Sequence, residues 1–225
     1  MRFCVEGQGD VSALLLWPAQ ARWLLILAHG AGAGMRHPFM EKLASELAGV
    51  NIATFRYQFP YMEQRAEKGR RVPDALAVLT ATVAAAMRAA AEAAPGLPLL
   101  AGGKSLGGRM TSHAAAQGLL DGVRGLVFFG FPLHAPNQPG TKRADHLAKV
   151  PMPMLFLQGT RATLANLELL RPVCVNLGLR ATLHIIESAD HSFHVLKRSG
   201  TEDAAVLRQL AETSASWAER LTKTI

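Results

Sequence analysis

The sequence predicts an α/β domain with a mostly parallel central sheet, helices on both faces of that sheet and no large lid domain. Three observations carry the prediction. Short uninterrupted apolar runs such as LLILA (24 to 28), GLVFFG (125 to 130) and MLFLQ (154 to 158) read as strands buried on both sides, since a strand with one wet face would alternate. Between them lie segments whose apolar residues recur at helical spacing. The two kinds of segment alternate almost from end to end with no internal repeat or linker, as repeated β-α units do.

In chain order, residues 2–6 and 11–17 read as an antiparallel pair turning around Gly7 to Asp10, and RWLLILA (22 to 28) as the first deeply buried strand. Residues 37–48, with Phe39, Leu43 and Leu47 on one stripe, predict a helix, and NIATFRY (51 to 57) a strand. Pro73-Asp74 opens a long alanine-rich helix that Pro95-Gly96 closes; Arg88 and Glu92, four apart, argue against its crossing a membrane. PLLAG (98 to 102) is the next strand, 106–119 a helix and 125–130 a strand. The strand at 154–158, a helix over about 164–177, the strand TLHIIE (182 to 187) and a last amphipathic helix over about 202–221 complete the order.

At 225 residues, 49% hydrophobic and 18% charged, the chain is apolar enough to bury a core and fits a single domain over 1–225. Its net charge of +7 invites a nucleic-acid partner. The basic residues are scattered, however, and the densest clusters, Lys68-Gly69-Arg70-Arg71 and Lys142-Arg143, have no interleaved aromatics for base stacking. Neither a nucleic-acid nor a membrane partner is therefore expected. Cys4 and Cys174 stand far apart in apolar stretches and read as reduced packing thiols. The opening MRFCVEGQGD has no secretory h-region and no apolar run reaches bilayer length, so the default location is cytoplasmic.

The stretch LLAGGKSLGGRM (99 to 110) holds Gly-x-Ser-x-Gly between a predicted strand and a predicted helix. A serine held in strained backbone geometry at such a turn needs neighbours with almost no side chain two residues away on either side, and Gly103 and Gly107 supply them. Ser105 is thereby the candidate nucleophile. The helix that follows aims unpaired N–H groups at the reacting oxygen, so the Leu106 N–H is a candidate oxyanion donor. Ala31, in the loop HGAGAG (29 to 34) after the first buried strand, is the candidate for the second. Lys104 reads as an exposed neighbour of the serine.

A serine hydroxyl needs a base, and of eight histidines His191 lies in the loop between the last strand and the last helix, where this chain order puts it. His194 is close but should turn away, and His113 reads as a packing residue. His29, in a hydrogen-bonding role, and His37 and His134 are candidates to line the pocket.

The segments LAHGAGAGMRHPFM (27 to 40), FRYQFPYME (55 to 63), GGKSLGGRMTS (102 to 112), GFPLH (130 to 134), LQGTRATLA (157 to 165) and ADHSFHV (189 to 195) resemble the dienelactone-hydrolase-like α/β-hydrolases, and more closely their small branch related to the KANL and Tex proteins. The resemblance implies the α/β-hydrolase fold and a Ser-acid-His triad, with the acid in a Gly-Thr-Arg-Asp segment after the strand MLFLQ. Here that segment reads Gly159, Thr160, Arg161, Ala162. An alanine cannot orient an imidazole. A substitute carboxylate (Glu187, Asp145 or Asp190), a dyad with a weakened base, or a site that has lost catalysis all remain open. The expected activity is hydrolysis of a small-molecule carboxylic ester or thioester without metal or cofactor. The rivals are a non-catalytic binding or scaffold protein on the same fold and an acyltransferase.

Overall fold

The computed structural model describes residues 1–63 and 72–222, and the cluster Lys68-Gly69-Arg70-Arg71 lies outside them. Eight strands form one sheet: β1 (Arg2–Val5), β2 (Gly9–Leu16), β3 (Trp23–Ala28), β4 (Ile52–Tyr57), β5 (Leu99–Lys104), β6 (Val123–Phe129), β7 (Met154–Gly159) and β8 (Ala181–Ile186). Their spatial order is β1-β2-β4-β3-β5-β6-β7-β8. Only β2 runs against its neighbours, and from β4 to β8 every pairing is parallel. A parallel sheet needs cover on both faces because its crossovers are helical.

The helices are α1 (Pro38–Gly49), α2 (Pro60–Glu63), α3 (Leu76–Ala93), α4 (Leu106–Ala116), α5 (Leu167–Leu177) and α6 (Asp203–Thr222). Side-chain alternation along β3 shows how the layers divide. Leu24, Ile26 and Ala28 pack in the cluster that holds Leu79 and Val83 of α3, Met110 of α4 and Leu170 of α5. Trp23, Leu25 and Leu27 pack in the other, with Leu43 and Leu47 of α1 and Leu210 and Trp217 of α6.

The departures from expectation have local causes. The helix predicted to 119 stops at Ala116 because Gly118 turns left-handed (φ 73°). The amides of Gly118 and Leu119 then bond back to the carbonyls of Ala115 and Ala114, the pattern that closes a helix with glycine. α5 starts three residues late, at Leu167, because the Asn166 side chain caps it by accepting the Glu168 N–H at 2.8 Å. By length and composition α3 is apolar enough to cross a membrane, contrary to the expectation, yet its apolar stripe is spent on the core. Cys174 is buried, whereas Cys4 is exposed on β1 and is not a packing thiol.

Candidate active site

The turn from β5 into α4 puts Ser105 at φ 50°, ψ −114°, outside the regions a residue with a Cβ ordinarily occupies. Such strain, about 1–3 kcal/mol, persists only where the surroundings over-determine it. Here the Ser105 N–H bonds to the Phe129 carbonyl at 3.2 Å on one side and α4 begins on the other. A Cβ on Gly107 would lie 2.5 Å from the carbonyl oxygen of Ala28 and 2.6 Å from that of His29, and one on Gly103 2.4 Å from the Ala28 oxygen. These are backbone atoms and cannot swing aside. Gly107→Ala is therefore expected to cost about 2–4 kcal/mol in thermal or denaturant unfolding, whereas a loss below 1 kcal/mol would mean that the turn relaxes freely.

His191 arrives on the loop after β8, and that loop is stitched down. The Ser188 N–H donates to Thr160 Oγ1 at 2.9 Å, the Arg161 N–H to the Ala189 carbonyl at 2.9 Å, and Ala189 bridges to Val195. Within it Asp190 Oδ1 accepts the N–H groups of Ser192 (2.7 Å) and His194 (3.0 Å). The result brings His191 Nε2 to 2.9 Å from Ser105 Oγ. For the hydroxyl to donate to Nε2, the ring proton must sit on Nδ1. Nδ1 is buried and has no hydrogen-bond partner among the described residues. Burial first, and the charge of Lys104 second, push the imidazole down to about 3.

None of the proposed substitute acids reaches that nitrogen. Asp190 is turned to its own loop's amides, and Glu187 and Asp145 are exposed with no hydrogen bond to His191. Ala162 is buried in the turn after β7, its N–H on the Gly159 carbonyl at 3.3 Å. His29 does not line the pocket. It is fully buried, with Nδ1 donating to the Gly30 carbonyl (2.8 Å) and Nε2 accepting the Phe59 N–H (3.1 Å), and burial pushes it down to about 4. His134 is likewise buried, bonds through Nδ1 to the Ala135 carbonyl at 2.9 Å, and is on neither cavity wall beside Ser105. His37 does line the site. His194 turns outward onto Asp203 at 2.9 Å, and His113 stacks on His146 at 3.5 Å.

Lys104 corrects the sequence reading most sharply. Its side chain is not an exposed bystander: Nζ donates to the His191 carbonyl at 2.6 Å and lies 5.9 Å and 5.6 Å from the ring centroids of Phe39 and Phe193. The ammonium is thus held under the loop that carries the imidazole, near two ring faces that stabilise a cation. Desolvation lowers it to about 7. Nothing in the local sequence distinguishes this lysine from a solvated one, because its partner is 87 residues away.

Ser105, Ala31 and Leu164 border two cavities of about 350 Å³ each at the carboxyl ends of the strands, where ligands bind in open α/β sheets. One is walled by His37, Phe39, Met40, Lys104 and His191. The other is walled by Asp74, Leu79, Leu106, Arg109, Met110 and Arg143. Gly30 packs close to the serine, an added Cβ there lying 3.8 Å from Ser105 Cβ, so the loop carrying Ala31 flanks the hydroxyl. A larger cavity of about 670 Å³, beside Trp217 and Leu179, is at the opposite end of the strands and shares none of these residues.

A family model for the alpha/beta hydrolase domain matches residues 21–219. The chain belongs to the α/β-hydrolase family. Among solved structures this α/β-hydrolase is similar to a dienelactone hydrolase from Anabaena variabilis, with 20% identity, a TM-score of 0.76, and coverage of 98% of this chain and 95% of that one. It is also similar to an α/β serine hydrolase without a lid from Xanthomonas campestris (17% identity, TM-score 0.71, covering 95% and 93%). A third is Est1E from Butyrivibrio proteoclasticus (14% identity, TM-score 0.71, covering 99% and 98%). At these identities the likeness is one of fold, and it extends over the whole chain with no added lid domain.

Proposed function

We propose that the chain is a serine hydrolase of carboxylic esters or thioesters in which Ser105 attacks, His191 moves the proton and no acid among the described residues orients the base. The observation that carries this reading is the 2.9 Å contact between His191 Nε2 and the hydroxyl of a serine in strained geometry. As Oγ bonds to the acyl carbon, its proton passes to Nε2. The N–H groups of Leu106, at the start of α4, and of Ala31 then hold the oxyanion. The imidazolium returns the proton to the departing alcohol or thiol, and water repeats the sequence on the acyl-serine.

Lys104 is a positioning residue in this scheme. Its bond to the His191 carbonyl does by the main chain part of what an acid would do by the ring, at the cost of a weaker base. Because the lysine's charge lowers the imidazole, removing it raises the folded-state pKa. In an NMR titration the His191 ring of Lys104→Met should take up its proton at higher pH than in the native chain, though still below 6.5 because burial remains. An unchanged or lower midpoint would contradict the assignment.

A second reading has its own support: Ala162 and the unpartnered Nδ1 also suit a hydrolase-fold protein that binds without turning over, as the resemblance to the KANL-related branch allows. Hydrolysis of para-nitrophenyl acetate and a short thioester by the native chain and by Ser105→Ala separates the two. A rate above buffer that depends on Ser105 supports the enzyme. The absence of any Ser105-dependent rate supports the binder.

A further inference from the structure

The cavity without His191 carries positive charge that the described residues do not balance. Arg109, in the first turn of α4, and Arg143, in the 3₁₀ segment Lys142–Lys149, both face it. Arg109 Nε is buried with no partner, and no ion pair reaches either guanidinium among the described residues. Arg143 donates one N–H to the His134 carbonyl at 2.9 Å. Burial, and then the charge of Arg143, push Arg109 below its ordinary value, as expected of two cations sharing a half-dry space. The orphan N–H groups opening α4 add to the same potential. Among the described residues Asp74 is the one carboxylate on this wall, and its Oδ2 is engaged by the Tyr61 N–H at 2.8 Å. Two fixed cations against one anion leave a site that lacks a negative charge.

The proton path assigns the two cavities. A departing alcohol or thiol takes its proton from His191, so it must leave into the cavity that His191 lines, and the acyl chain must extend into the other. We propose that the Arg109–Arg143 cavity is an acyl subsite for a carboxylate, so that the preferred substrate is a monoester or monothioester of a short dicarboxylic acid. This rests on the hydrolase reading for the direction of the acyl chain, but not for the anion preference itself. In the reaction the Ser105 Oγ–acyl bond forms as the C–O or C–S bond breaks, and the serine proton leaves on the alcohol or thiol by way of His191. Water then supplies hydroxyl to the acyl carbon and a proton back to Ser105, releasing the diacid. At about 350 Å³ the space suits a small acyl group.

The test is binding, measured by calorimetry on Ser105→Ala protein, with Ser105→Gly as an alternative that tolerates the backbone angle. The probes are mono-para-nitrophenyl adipate and para-nitrophenyl hexanoate, whose acyl chains match in length and differ in the terminal carboxylate. The adipate ester should bind about ten-fold or more tightly, the effect of a charge-assisted contact in a partly desolvated site. Adding Arg109→Gln should remove the preference, Arg109→Lys should keep part of it, and Arg143→Gln should reduce it. Equal affinities, no binding of the adipate ester, or a preference that survives Arg109→Gln in protein folded by circular dichroism would overturn the proposal. Turnover of the same pair by the native chain distinguishes the two failures. Binding preference without hydrolysis of either ester defeats the hydrolase reading alone, and hydrolysis of both without preference defeats the subsite alone.

Discussion

Ala162→Asp should raise ester turnover by about 10²- to 10⁴-fold, because the acid of a Ser-His-acid triad is worth about that much where it has been removed or neutralised. The residues just before the gap are already in place. Thr160 and Arg161 are hydrogen-bonded to the loop that carries His191, through Thr160 Oγ1, which accepts the Ser188 N–H at 2.9 Å, and the Arg161 N–H, which donates to the Ala189 carbonyl. The serine contact exists, and Nδ1 is buried without a partner among the described residues. A carboxylate accepting from Nδ1 would satisfy that donor, fix the tautomer and raise the imidazole from about 3 toward the range of an effective neutral-pH base. The sign can be checked independently: activity of the native chain should lose no base by protonation until pH falls toward 3, whereas the variant should gain an acid limb nearer neutrality. The cost is a carboxylate at a position only 7% exposed, which pairing with the imidazole would offset. If kcat stays flat in a well-folded variant, His191 is not limited by the missing acid.

Ser105→Ala should lower turnover by about 10²-fold, less than in a complete triad. There, losing the serine costs about 10⁶ and losing the acid about 3 × 10⁴, and the two are far from additive. A site that starts without its acid has only the remaining factor to lose, and oxyanion donors and substrate positioning keep the residual rate above that of water. The same variant built on Ala162→Asp should lose far more. That non-additivity, read from the four rates, is the kinetic signature of a serine and a base acting as one unit. Equal losses in the two backgrounds would contradict it.

The fold was readable because strands buried on both faces need unbroken apolar runs, and β3, β6 and β7 consist of little else. The serine turn was readable for a related reason: its backbone angle and its contact with the Ala28 carbonyl demand glycine at fixed positions, so geometry is written into residue type. What escaped has no such local signature. Pro60–Glu63 and the 3₁₀ segment Lys142–Lys149 are too short or too irregular to show a period. The buried course of Lys104 and the inward turn of Asp190 depend on partners brought near by the fold alone. The alternatives left open for the acid narrow for the same reason, since an exposed Glu187 or Asp145 looks like a candidate until the direction of His191 Nδ1 is known.

Intact-mass and peptide mapping after exposure to a fluorophosphonate addresses the proposed nucleophile without needing its substrate. One adduct on the peptide containing Ser105, absent from Ser105→Ala and slowed in His191→Gln, is the result this account predicts. A folded native chain that stays unmodified under conditions that label other serine hydrolases, or that labels equally well without Ser105, would contradict it.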